Sequence, residues 1–346
     1  MINPYENVDW EDDIQIVSVS HAHAKTQEHF NCLYAGGVRH MAISNYYRSE
    51  PFYPVVNGKI SGIESAETVT VPDDCIPCPN AEHHNMNVSA LHMCTIGSFF
   101  SSGTPEIIDS TDGSADRSGR PKSMEGASWK ELIKLSVPML KFSDGGGLTI
   151  NHPTWSELSL ENIFSMLDYT PYVLGIEAYN TDYENDLKYW DDVLITGRRA
   201  WGFFVPDHKH KTKPTGNWLG RNVLIVPERT EHECLKAYRE GRFYGRLRNT
   251  NLSFTDIHVA NDTIICSTNS ATTITIIKDG QRYDYSGASC EYNIDDSPTY
   301  VRIEATDEND VIFSQPFIFK QYIPKKKDTW QMEKKRIFGI SKLLWM

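Results

Sequence analysis

Short apolar runs alternate with more polar, helix-compatible stretches over the first two thirds of the chain. Runs at 14–19, 39–44, 91–96, 147–151, 173–178, 200–205 and 222–226 have the length and the branched or aromatic character of strands. The segments between them predict helices near 26–36, 129–142, 159–168, 186–198 and 231–241. Three helix starts are explicit. Ser128 stands three residues before Glu131, the spacing of a capping box, and Ser159 and Thr230 are N-cap residues of the ordinary kind. Gly241, after Tyr238-Arg239-Glu240, reads as a C-terminal stop. Strands and helices in alternation predict an α/β barrel or layered fold.

The texture changes near residue 248. Thr272-Thr273-Ile274-Thr275-Ile276-Ile277 and Tyr300-Val301-Arg302-Ile303-Glu304-Ala305 are strand-like, and Asn261-Asp262, Asp279-Gly280 and Glu308-Asn309-Asp310 supply turns. This pattern predicts a small antiparallel β-sandwich over 248–322, following an α/β domain over 1–247. It holds no cluster of catalytic residue types and reads as a packing or docking module. Residues 103–128, rich in Gly, Ser, Asp and Pro, read as a long loop, either a lid or a disordered segment. The basic tail at 323–346 ends in apolar residues and is open to two readings, an anionic-surface contact or docking on its own domain.

Composition narrows the function classes. A hydrophobic content of 40% is enough for a real core, and a formal net charge of −12 argues against a general nucleic-acid backbone binder. No apolar stretch has the length of a membrane span, and the start of the chain does not resemble a secretory signal. Seven cysteines, odd in number and thinly spread, suit reduced thiols and a cytoplasmic protein. Cys75-Ile76-Pro77-Cys78 is a lone CxxC with no second pair, and reads as a proline-punctuated loop rather than as a structural zinc site.

The chemistry lies where the apolar runs stop. His21-Ala22-His23 follows the first run, Asn151-His152-Pro153 follows Gly147-Leu148-Thr149-Ile150, and Pro206-Asp207-His208 follows Trp201-Gly202-Phe203-Phe204-Val205. Glu82 and His92 lie between the first and second of these. Imidazole and carboxylate suit zinc, manganese and iron, and ligands delivered from successive strand ends converge at a barrel mouth. The chain therefore reads as a metal-dependent enzyme.

As an ordered set these residues resemble the polymerase-and-histidinol-phosphatase (PHP) superfamily. The second half is similar to its carbaryl-hydrolase-like branch through Gly175-Ile176-Glu177-Ala178-Tyr179-Asn180, Trp190-Asp191-Asp192-Val193-Leu194, Gly220-Arg221-Asn222 and the run Leu235–Tyr244. The resemblance implies a distorted (β/α)7 barrel, with one to three divalent ions (Zn, Mn or Fe) at the C-terminal ends of its strands. It implies His21, His23, Glu82, His92, His152 and Asp207 as ligands, with Glu82 bridging, and His208 rather than His210 as the late histidine. Either His208 or His210 would protonate a leaving group. The chain departs from the family after the second strand, where Ser44-Asn45-Tyr46 replaces Thr-Asp-His. His29 or Glu28 would compensate, and Tyr46, Tyr47 and Arg48 would instead face substrate.

Other residues carry two readings. Glu177 is either a partner that orients a metal-bound imidazole or a charge exposed at a strand end. Arg48, Arg198, Arg199 and Arg221 are candidates for an anionic group, with Arg221 and Arg48 foremost because each follows a strand end. His40, His83, His84, His232 and His258 read as ordinary surface or core residues. The function expected is hydrolysis of a small, anionic phosphoester by metal-activated water. The alternatives are a carbamate or carboxylic ester hydrolase, and a non-catalytic metal- or phosphate-ligand-binding protein on a degenerate scaffold.

Overall fold

The computed structural model describes residues 1–24, 26–44, 55–56, 59–61, 68–84, 88, 90–100, 128–181, 186–207, 219–295 and 297–324. Tyr46, Arg48, His208 and His210 lie outside the described residues, as do Asn45 and most of the segments 103–128 and 323–346.

The first part of the chain runs β1 (Ile14–Val19), α1 (Gln27–Ala35), β2 (His40–Met41), a short ribbon of β3 (Val55–Val56), β4 (Lys59–Ser61) and β5 (Thr68–Thr70), then β6 (Ile76–Pro77), β7 (Glu82–His83) and β8 (Met93–Ile96). It continues α2 (Trp129–Ser136), β9 (Gly147–Ile150), α3 (Leu160–Tyr169), β10 (Val173–Asn180), α4 (Leu187–Leu194), β11 (Trp201–Val205), β12 (Arg221–Val226), α5 (Glu231–Glu240) and β13 (Phe243–Arg246). The caps set the helix starts. Ser128 and Glu131 form a reciprocal capping box, and Ser159 and Thr230 accept from the amides of Asn162 and Glu233. Gly241 ends α5 at φ 83°, a left-handed conformation that favours glycine. Helix α2 stops earlier than the pattern predicted. Pro138 lacks an amide hydrogen, and the chain passes into a 3-10 turn over Val137–Met139.

Two sheets face one another. In the first, β1, β2 and β6 are parallel, and β12 joins β1 antiparallel. In the second, β9, β10 and β11 are parallel, while β8 pairs antiparallel with both β9 and β7. Ile16, Ala42, Leu174, Phe203, Leu224 and Tyr238 contribute to the shared core. At the strand ends backbone contacts tie the sheets together. Asp207 N–H donates to the His21 carbonyl at 3.2 Å on one side, and Glu82 N–H donates to the Ser44 carbonyl at 3.1 Å on the other. The result is a mixed α/β unit of two sheets linked at the strand ends.

The later strands are β14 (Phe254–Ala260), β15 (Thr263–Thr268), β16 (Thr273–Lys278), β17 (Gln281–Ser286), β18 (Ser289–Asn293), β19 (Tyr300–Thr306), β20 (Val311–Ser314) and β21 (Phe317–Ile318). They do not form a free-standing ladder. β20 pairs with β13, so β16, β17, β19 and β20 extend the first sheet. β14, β15 and β18 form a separate sheet, and Ile257, Ile264 and Cys266 from it share an apolar cluster with Val223, Ile225 and Ile303 of the first. Arg302 reaches α4, where Nε and Nη2 donate to Asp191 at 2.7 and 2.8 Å.

Candidate metal centre

Residues just past β1, β9 and β11, together with β7 and the residue before β8, meet at one end of the two sheets. His21, His23, Glu82, His92, His152 and Asp207 all lie there, each no more than 7% exposed. The turns that deliver two of them are strained. His152 and Asp207 have φ of 27° and 48°, which costs a non-glycine residue about 1–3 kcal/mol and is typical of functional sites.

Glu82 is the hub. Its Oε2 lies 3.3 Å from His21 Nε2 and 3.1 Å from His23 Nε2. Those two nitrogens are 3.2 Å apart, and Asp207 Oδ1 is 3.4 and 3.5 Å from them. Donor atoms ~2.0–2.2 Å from a tetrahedral ion are roughly 3.3–3.6 Å apart. The two histidine nitrogens thus stand at ligand spacing from a Glu82 oxygen and also from an Asp207 oxygen. The other oxygen, Oε1, lies 3.1 Å from His92 Nδ1 and 3.4 Å from His152 Nε2, a second triad of donor atoms. His21, His152 and Asp207 also offer donor atoms within 4.8 Å of one another, so the two positions adjoin. The residues present therefore fit divalent-metal binding at a buried His/Glu/Asp cluster.

A surrounding layer orients these groups. Glu177 Oε1 is 2.7 Å from His21 Nδ1, which leaves Nε2 to face Glu82, and Oε2 accepts from the His152 amide at 2.9 Å. Asn180 Nδ2 donates to Glu177 at 2.8 Å and to Asp207 at 3.3 Å. Strict alternation would point 177 and 180 to opposite faces of β10. The register shift between Glu177 and Tyr179 breaks that alternation and lets both reach the centre. Asn151 Nδ2 donates to Glu82 Oε1 at 3.2 Å, and Ser156 Oγ sits 3.1 Å from His152 Nδ1.

The electrostatics follow from burial and proximity. Burial disfavours protonation of His21, but Asp207 and Glu82 outweigh it and hold the imidazole well above its usual range. Burial would raise Glu82; His21, His84 and His92 outweigh it and hold this carboxyl well below the usual range. His92, buried and beside His84, is pushed down to about 3. A proton between buried carboxylates and imidazoles occupies the place a cation takes, and metal binding at such a cluster releases protons.

His84, which the pattern grouped with ordinary histidines, places Nε2 3.2 Å from Glu82 Oε2. A Glu-His-His run carries no spacing signal of its own. Asn151 and Asn180 carried a weak one, each standing at the end of a strand run that supplies a site carboxylate or histidine. Trp155, 39% exposed, has its ring centroid 5.0 Å from that of His92 and 4.9 Å from that of His152. Arg221 is buried and donates to the Gly36 carbonyl at 3.0 Å. Glu28 and His29 lie in the first turn of α1 and belong to no ligand cluster among the described residues; nor do Cys75 and Cys78.

No family model matches the chain, and no curated protein matches it. Among solved structures it is similar to a two-domain protein from Bacteroides vulgatus said to contain a predicted PHP-like metal-dependent phosphoesterase. The identity is 11%, over 91% of this chain and 89% of that one, with a TM-score of 0.45. Likeness at that level assigns neither fold nor activity.

Proposed function

We propose that the chain is a metal-dependent hydrolase of the PHP type whose substrates are phosphoesters. The observation that carries the reading is the division of Glu82 between two donor sets, Oε2 toward His21 and His23 and Oε1 toward His92 and His152. His21, His23, Glu82 and Asp207 would hold one ion, and Glu82, His92 and His152 the other. Ions so held would lower the pKa of bound water and stabilise charge on phosphoryl oxygens. The seven-unit barrel is part of the same proposal, supported by the backbone bonds that link the two sheets around the strand ends.

The protein's own part is orientation and exclusion of water. Glu177 fixes the tautomer and ring direction of His21, and Ser156 does so for His152. Asn180 holds Glu177 and Asp207 in one arrangement, so that neither carboxylate turns outward. Burial of every ligand keeps bulk water from competing with the substrate side. Arg221 is held by a backbone carbonyl; Arg48 is proposed to meet the substrate's anionic group, and His208 or His210 to protonate the leaving oxygen. Soluble ester assays test the reading. Chelated protein supplemented with manganese or zinc is expected to hydrolyse p-nitrophenyl phosphate or bis(p-nitrophenyl) phosphate. Turnover of p-nitrophenyl acetate or an aryl carbamate without phosphoesters would replace phosphorus by carbon. Silence on the whole panel would favour a binding protein.

A further inference from the structure

All seven cysteines are free thiols, and two of them face each other across a ladder. Cys266 on β15 and Cys290 on β18 are register partners in an antiparallel pair. Their side chains lie on the same face, within the apolar cluster between the two C-terminal sheets, at 0% and 7% exposure. Cys290 is on an outer strand of its three-stranded sheet. Cys290, the more exposed of the two and on the outer strand, is the thiol a peroxide reaches first.

The ladder fixes which kind of pair this is. Thr268 N–H donates to the Ala288 carbonyl at 2.8 Å and Ile294 N–H to the Asp262 carbonyl at 2.8 Å. Bonded and non-bonded pairs alternate along an antiparallel ladder. Cys266–Cys290, two residues from the first bonded pair and four from the second, is therefore also a hydrogen-bonded pair. Such a pair has a Cα separation of about 5.5 Å, inside the range of about 4.4–6.8 Å that a disulfide spans. Its Cβ atoms, at up to about 5.5 Å, must draw together by roughly 1 Å to reach disulfide distance. A bond closed against that resistance is strained, and strained disulfides are the readily reduced ones.

We propose that Cys266 and Cys290 form a reversible oxidation site, closed by a hydroperoxide into a cross-strand disulfide and reopened by a monothiol such as glutathione. The Cys290 thiolate attacks a peroxide oxygen; the S–O bond forms as the O–O bond breaks, and the departing oxygen leaves as hydroxide and is protonated to water. Cys266 then displaces the second oxygen from the Cys290 sulfenic acid as water, and the S–S bond forms. The two sulfurs lose two electrons together, hydrogen peroxide gains them, and both thiol protons end in water.

The test uses the full chain and hydrogen peroxide, followed by denaturation, maleimide labelling, intact mass and peptide mapping. Reduced protein takes seven labels. Oxidised protein is expected to take two fewer, to yield a cross-linked Cys266–Cys290 peptide, and to regain both labels after glutathione. Cys290→Ser is expected to lose the cross-link, and Cys32→Ser to keep it. Retention of both thiols, separate oxidation of the two sulfurs, or a different cross-link would overturn the site. A Cys266–Cys290 bond that resists glutathione would overturn its reversibility.

Discussion

Two buried histidines on adjacent strands of one sheet are put to opposite uses. His21, past the end of β1, meets Glu82, Asp207 and Glu177. His40, in β2, meets the hydroxyl of Ser18 at 2.7 Å, which in turn contacts the Tyr238 hydroxyl at 2.6 Å. Both residues are buried. Burial alone pushes His40 down to about 3, a neutral ring in the floor of the fold. The same burial around His21 is outweighed by Asp207 and Glu82, which hold that ring well above its usual range. Depth does not make a histidine a ligand; the company of uncompensated carboxylates does.

The contrast is broken most severely at Glu82. Glu82→Gln removes the shared charge from both proposed ion positions, and activity should fall on the order of 10³-fold or more, with metal content falling by elemental analysis. An active, metal-loaded variant would remove Glu82 from the centre. Glu177→Gln leaves the ligands in place but weakens the orientation of His21, and metal affinity should fall about 10–100-fold, read by competition with a chromogenic chelator. Unchanged affinity would make Glu177 a bystander.

The floor histidine should show itself in stability instead. Folded His40 stays neutral down to about pH 3, whereas the unfolded chain takes up a proton below about pH 6.5. Its stability contribution is full above that range and is lost as pH falls through it, by up to about 5 kcal/mol. Denaturant titrations of chelated protein from pH 7.5 to about 4 should follow this slope, with His83, also pushed down to about 3, adding to it. His40→Phe should flatten the slope and leave metal content unchanged; an unaltered slope would contradict the assignment. The smallest effect is expected at Ser156→Ala, about 0.5–1.5 kcal/mol in ion affinity from one lost hydrogen bond to His152. Calorimetric titration with zinc reads it, and a loss as large as that of Glu177→Gln would reverse the ranking.

Much of the centre could be read from residue order, because a polar residue at the end of an apolar run stands out. His21, His23, His152 and Asp207 are of this kind, and so are the caps at Ser128, Ser159 and Thr230. What could not be read were properties that an apolar run does not encode. Met93–Ile96 is equally apolar whether parallel or antiparallel, and β8 is antiparallel to both neighbours. The shift after Glu177 that turns Asn180 inward has no sequence mark. His84 looked like its neighbour His83, yet one faces Glu82 and the other faces Thr95. A strand's alternation does not name its partner, so the continuation of the first sheet through β13 and β20 was invisible as well.

The most direct measurement is the number of divalent ions per chain, by elemental analysis of protein purified without chelator, beside Glu82→Gln. The account predicts two equivalents of zinc, manganese or iron in the natural protein and fewer than one in the variant. No bound ion in the natural protein, or equal content in both, would contradict it.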